Sequence, residues 1–591
     1  MTAGSLRESR RATCGRWLLV ILGAVLPFEI RFPVVQIGPL SVTNVEVVLY
    51  ATLACWAASM AGRALRALSA SPSSPVGSLV VGIAGRWSLV HWASLAWMVV
   101  VVAAAVGAPV HRDHAMKFAL RSLSGGLLAF AVVDLADDAA AVRRMLVSVC
   151  LGAFASALAA YVEVGVDAAD SWLTVFKTQP SVAGGFRRAS GSFQYANTAA
   201  MYWEASVPVM VALAVWYARR GRLGYVLGLV AAAATGTALV LSVSRAALGS
   251  LGAVLAIMSV ATWRRERAIG LLTISLVAII AVASVVAPTP LLSLRFRTDD
   301  QSAWNRAEWL ATPETLAVPS ESRTQTRVTV RNDGLLPWSH DGREPVFLSY
   351  HVLDANGAQV LAYDGPRTVL PQRVVPGREV TVDAEVFVTL PPGRYVLEWD
   401  MVREGVTWFG PLGAPIARTA LDVVPNPRST REIPPPEPTH ITPTRRPDRR
   451  DLWRAAVRMW REAPWLGKGP DVFRLIYGPY LGWSPFDERV TANSLYLETL
   501  ATQGAIGTLA LLSLLGSLGW SVVVWWRRPP TPLFLTVMGV TGALATYVVH
   551  GAVDYFLSFT PTLGLFWLLV GALGALASPR PAGPSMPTTP R

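Results

Sequence analysis

The chain has 591 residues, 52% of them hydrophobic and only 15% charged, with a formal net charge of +13. A soluble protein of this size carries about a quarter charged residues, and here the apolar residues fall in runs of about 20, the length that crosses a bilayer core. An ordinary soluble protein is excluded, and because the arginines cluster between the apolar runs, membrane topology accounts for them and no nucleic-acid partner is expected.

The apolar runs predict about twelve spans, near 17–36, 43–61, 88–110, 118–135, 144–165, 199–217, 223–243, 246–263, 268–289, 495–526, 534–553 and 560–577. Arg7, Arg10, Arg11 and Arg16 precede the first run. No small-residue cleavage site follows, so that run reads as a retained helix rather than a signal peptide. Further clusters at Arg63/Arg66/Arg86, Arg143/Arg144, Arg219/Arg220/Arg222, Arg264/Arg265/Arg267 and Arg527/Arg528 alternate consistently if both termini are cytoplasmic. Residues 292–493 are then extracytoplasmic, on a multi-pass protein of the plasma membrane. Cys14, Cys55 and Cys150 lie in the N-terminal tail or in predicted spans, so the long loop has no disulfide framework.

Within that loop the period changes. TRVTVRND, VFLSYHVLD, REVTVDAEVFV and GRYVLEWDMV alternate apolar and polar residues between turn signals at Asn356-Gly357, Pro376-Gly377 and Pro392-Gly393. Such spacing predicts a small sandwich of about seven strands, similar to immunoglobulin-like modules. A helical period returns at Leu452, Trp453, Val457 and Trp460. The expected fold is mainly α, a polytopic membrane protein of about 12 transmembrane helices with an extracytoplasmic all-β insertion. Its expected parts are a membrane domain of spans one to nine (1–291), the start of the external loop (292–311), the β-sandwich (312–425) and a Pro-rich linker (426–448). An external amphipathic re-entry segment (449–494), spans ten to twelve (495–577) and a disordered cytoplasmic tail (578–591) complete it.

Charges on the outer side are not explained by insertion and become site candidates. FRRASGSFQYANTAAMYW holds Arg187, Arg188 and Asn197, with Tyr195 and Glu204 close by. LSVSRAALGS puts Arg245 at a nearly loopless hairpin. The re-entry segment contributes Arg449, Lys468, Asp487, Glu488, Arg489, Asn493, Tyr496 and Glu498, and VVHGAVDYF places His550 and Asp554 four residues apart. Arginine offers a two-pronged donor set to phosphate oxygens, and a carboxylate or imidazole can take a proton from an incoming hydroxyl. Against this stand plainer roles: an arginine at a helix end anchors by snorkelling, His550 and Asp554 can cap locally, and a Trp-rich amphipathic helix suits the interface. No metal-ligand spacing, P-loop or dinucleotide motif occurs.

The motifs SGSFQYANTAA, SVSRAALG, PWLGKGPDVF, ANSLYLETLATQGAIG and HGAVDYF, in this order, resemble the O-antigen ligase and polymerase family of membrane glycosyltransferases. The resemblance covers about 185–265 and 449–572. It implies transfer of a glycan from undecaprenyl diphosphate to a hydroxyl of a glycan, lipid or protein acceptor, without cofactor or metal. Arg245 and Arg449 match arginines of the family. Members often carry His-Asn where this chain has Ala492-Asn493, so the resemblance leaves proton transfer to His550, Asp554, Glu498 or Asp487. Arg245, Arg449, Arg188, Arg187, Asn197, Lys468, Asn493 and Tyr496 are the expected substrate-binding groups. The rival readings are a transporter or flippase for a lipid-linked or anionic solute, which would carry broken helices at mid-membrane and often an internal repeat, and an inactive glycan-binding membrane protein.

Overall fold

The computed structural model describes the chain except residues 1–2, 38–39, 71–86, 167–168, 179–180, 184–185, 287–290, 298–302, 343, 405–406, 429–432, 435–446, 484–485, 529–530, 532 and 578–591. The expected disordered tail and most of the expected linker therefore lie outside the described residues. By contacts the chain forms two compact units: Met1–Ser181 with Ala189–Pro288 and Pro447–Arg591, and Val182–Arg188 with Thr289–Arg446.

The first unit is helical. Its long helices are α1 (Ala3–Val25), α2 (Asn44–Ala70), α3 (Leu89–Val106), α4 (Arg112–Leu135), α5 (Ala139–Gly165), α6 (Ala196–Ala218), α7 (Arg222–Ser242), α8 (Arg245–Thr262) and α9 (Arg267–Val286). After α10 (Arg449–Glu462) and the short α11 (Phe473–Tyr480) come α12 (Leu495–Arg527), α13 (Phe534–His550) and α14 (Thr560–Ala577). Among the described residues ten helices are long and apolar enough to cross a membrane, and Thr13–Val25 and Phe534–His550 are shorter apolar helices. These twelve elements coincide with the twelve predicted runs. The first run stops earlier than expected, at Val25, because Pro27 holds the preceding residue away from helical geometry.

Helix α6 lies at the centre, buried along its whole apolar window, and packs against α7 and α13. Outward-facing Leu223, Val260, Val285 and Leu509 stay exposed, as a lipid-facing surface requires.

Besides the short strand Phe186–Arg188, the second unit holds two sheets around one core. Its strands are β1 (Ala307–Ala311), β2 (Thr315–Pro319), β3 (Arg323–Asn332), β4 (Val346–Leu353), β5 (Val360–Ala362), β6 (Thr368–Val369), β7 (Glu379–Phe387), β8 (Gly393–Arg403), β9 (Thr407–Trp408) and β10 (Ala417–Val424). One sheet runs β6-β4-β8-β10-β2, with β5 and β9 beside it, and the other runs β7-β3-β1. Val328 and Val330 face Val382 and Val380 in antiparallel register, and their side chains meet Leu348, Leu397 and Trp399 in the shared core. Strand β1 lies ahead of residue 312, where strand periodicity becomes visible in the sequence. A register shift between Trp309 and Ala311 breaks its alternation.

Candidate functional site

Five helix ends meet at one end of the bundle in the first unit: the starts of α6, α8, α12 and α14 and the close of α13. The deepest group there is Glu204, two turns into α6. Its Oε1 lies 2.7 Å from Nδ1 of His550, the last residue of α13, and neither side chain is exposed. Nε2 of His550 has no hydrogen-bond partner among the described residues, and its ring packs on Phe556 at 4.8 Å.

Helix α13 stops at His550, and the chain turns so that Val553 and Asp554 donate their N–H groups to the His550 carbonyl. His550 and Asp554, though four residues apart, thus take different partners. Asp554 Oδ2 accepts from Asn197 Nδ2 at 2.9 Å, and Oδ1 accepts from the Tyr555 N–H at 2.8 Å. The turn is fixed to the next element as well, because the Leu495 N–H donates to the carbonyls of Gly551 and Asp554. Tyr496 donates its hydroxyl to the Val548 carbonyl at 2.8 Å.

Helix α12 begins with Ser494 accepting from the Leu497 N–H. Just ahead, Asn493 takes a left-handed conformation (φ 48°), and Glu498 Oε2 accepts the Ala492 N–H at 2.7 Å. Glu498 therefore holds the Ala492-Asn493 turn against its own helix. Ala492 is fully buried in an apolar cluster with Leu452, Ala456, Met459 and Phe473, so its position is filled by packing. Nine residues into α12 the helix breaks at Gly504 (φ 67°). The segment after α10 fills the break: Ala505 donates to the Pro464 carbonyl, and Lys468 and Gly469 donate to the carbonyls of Ala501 and Thr502. A Cβ on Gly504 would stand 2.3 Å from the Trp465 carbonyl oxygen, which reserves the position for glycine.

Helix α10 turns Leu452, Ala455, Ala456 and Met459 onto α12 and leaves Arg450, Arg454, Arg458 and Arg461 exposed. Asp448 caps it by accepting from the Arg450 N–H. Arg449, its first residue, lies within electrostatic range of His550, and Arg489 within that of Tyr195. Arg245 opens α8, whose cap Ser244 follows a left-handed Val243 (φ 54°), and α8 packs against α13.

Other expected residues sit in local pairs. Lys468 Nζ is 2.7 Å from Glu462 Oε2; burial opposes its charge, but the bonds from Glu462 and Tyr480 outweigh that and raise its pKa. Asp487 grips Arg489 through both oxygens, at 2.8 and 2.9 Å. Arg187 and Arg188 fall in the second unit, on the strand Phe186–Arg188, where Arg187 Nε is 3.7 Å from Glu344. The helical site thus assembles Asn197, Glu204, Arg449, His550 and Asp554, with Asn493, Tyr496 and Glu498 framing its turn.

Asp471 and Arg474 escaped the sequence reading. They form a two-pronged pair at 2.9 Å, Arg474 also donates to the Glu488 carbonyl, and its charge is felt by Glu498. Their opposite charges three residues apart, with Asp471 just ahead of α11, were the available signal. Among the described residues no group of His, Cys, Asp and Glu could hold a metal ion.

Comparison with known families bears on the same segment. Residues 415–512 match the O-antigen ligase family model. The match supports the O-antigen ligase family for this chain. The ligase-family segment opens beside β10, crosses α10 and α11 and closes in α12 beyond Gly504, so it contains Arg449, the buried Ala492 and the Asn493–Glu498 turn. No curated protein matches the chain.

Proposed function

We propose that the protein transfers a glycan from a polyprenyl-diphosphate carrier to an acceptor hydroxyl at the outer face of the plasma membrane. The observation that carries this reading is the O-antigen ligase family match over 415–512, a segment that brings Arg449 into the range of His550.

In the reaction, the acceptor oxygen attacks the anomeric carbon of the donor sugar. A new C–O bond forms, the bond from that carbon to the diphosphate breaks, and polyprenyl diphosphate leaves with the electron pair. The hydroxyl proton goes to Asp554, whose carboxylate is oriented by Asn197. His550, held by Glu204, fixes the turn that presents Asp554. Arg449 and Arg245 meet the negative charge that grows on the leaving diphosphate, where a guanidinium offers two parallel donors. Glu498 keeps Asn493 in place at the same turn.

The test is transfer from a purified lipid-linked glycan to an acceptor by the reconstituted protein, with loss of the gene as the cellular counterpart. Transfer in vitro and accumulation of lipid-linked precursor in the deletion strain are expected. Movement of the intact lipid-linked glycan between leaflets, without a new glycosidic bond, would replace this reading with transport.

A further inference from the structure

At the opposite end of the bundle, α1, α5 and α6 line an open cavity of about 340 Å³. Arg143, Arg144, Trp216 and Tyr217 form its polar wall, and Trp17, Val20, Val147 and Leu151 extend it as an apolar one. Among the described residues neither Arg143 nor Arg144 has a hydrogen bond or a carboxylate at ion-pair distance. The nearby Asp138 caps α5 by accepting from the Ala141 N–H, and Asp137 pairs with Arg16. The Arg143 guanidinium lies over the Trp216 ring at 4.5 Å, and Arg220 covers the same ring at 3.5 Å. The indole N–H of Trp216 is buried and has no partner among the described residues.

Two guanidiniums give the cavity donors and positive charge, while Ser148, its hydroxyl neighbour, is spent on the Met145 carbonyl. A group of oxygens carrying negative charge would pair with both cations. The apolar wall rises along two apolar helices, α1 and α5, where a free anion has nothing to contact and an acyl chain does.

We infer that this cavity binds the phosphate head group of an anionic phospholipid, with its acyl chains lying along Val20, Val147 and Leu151. The bound lipid ties α1 to α5 and α6 at the end of the bundle opposite the candidate active site.

The experiment is native mass spectrometry of the full chain, stripped of lipid in detergent and given phosphatidylglycerol, phosphatidylcholine or inorganic phosphate. The intact chain is expected to retain one phosphatidylglycerol in preference to phosphatidylcholine, and millimolar phosphate is expected not to displace it. In Arg143→Gln/Arg144→Gln that retention falls about tenfold or more. Arg264→Gln/Arg267→Gln, which loses the same charge elsewhere on the bundle, keeps it. Arg143→Lys/Arg144→Lys keeps both charges and loses the two-pronged donor set, so its weakened retention decides the matter if the glutamine double variant aggregates. Equal retention of phosphatidylcholine, displacement by inorganic phosphate, or unchanged retention in both cavity variants overturns the inference.

Discussion

Asp554 and Gly504 are the two residues at which single-atom changes are most informative. Replacing Asp554 by Asn keeps the size of the side chain and a partner for Asn197 but removes the proposed proton acceptor. Transfer is expected to fall by about 10²–10⁴-fold, with unchanged protein level in membranes, as read by a reconstituted transfer assay. Asn197→Ala leaves Asp554 in place without its orienting donor and is expected to cost less than Asp554→Asn. At Gly504 a single methyl meets the Trp465 carbonyl and an unfavourable φ. Gly504→Ala is expected to destabilise by about 1–3 kcal/mol or more, seen as a lower midpoint in thermal unfolding of the purified protein. Individual charges at the bundle end were legible in the sequence, because an ionisable residue beside an apolar span needs a reason. Their partners were not: Glu204 and His550 are 346 positions apart, and no local pattern couples them.

Among the elements, α10 is the one whose loss separates positioning from chemistry. Its apolar face is fixed to α12 through Leu452 and Met459, both fully buried, and its first residue is Arg449. Leu452→Ala opens a cavity worth about 2–5 kcal/mol and is expected to lower stability and transfer together. Arg449→Lys keeps the charge but loses the two-pronged donor set. It is expected to lower turnover on the order of a hundredfold at unchanged stability, measured as transfer rate beside thermal unfolding. Near-normal turnover in Arg449→Lys and Arg449→Ala would remove Arg449 from the site. Helical period alone predicted α10, since charged and apolar residues separate cleanly around it. The break in α12 was not legible, because TQGAIG reads as part of one apolar run until a neighbouring carbonyl is seen to occupy the place of a side chain.

At the scale of the whole molecule, two units with separate cores predict separate folding. Residues 303–426 span every strand of the second unit's two sheets and their shared core, and they are expected to fold alone as a soluble domain with one cooperative unfolding transition. The arrangement of arginine clusters makes an independent prediction about sidedness. Single cysteines placed in the strands of the second unit are expected to react with an impermeant reagent on intact cells, and one placed beside Arg264 is not. The reverse pattern would overturn the orientation. Alternation of hydrophobicity made the sheets visible because their core faces are so uniformly Val, Leu and Trp, while β1 stayed hidden behind its irregular register.

The broken helix α12 also sets an order of biogenesis. Pro464, Trp465, Lys468 and Gly469 are synthesised before Gly504, yet the backbone groups that they bond belong to Ala505, Ile506, Ala501 and Thr502. Until α12 has left the ribosome, α10 and the segment behind it have neither their hydrogen-bond partners nor the apolar face on which Leu452 and Met459 rest. A nascent chain arrested near residue 490 would therefore present this stretch to proteases, and one arrested far enough beyond residue 527 for α12 to have cleared the ribosome would protect it. The family-matched segment and the span that ends it are in this sense one unit of synthesis.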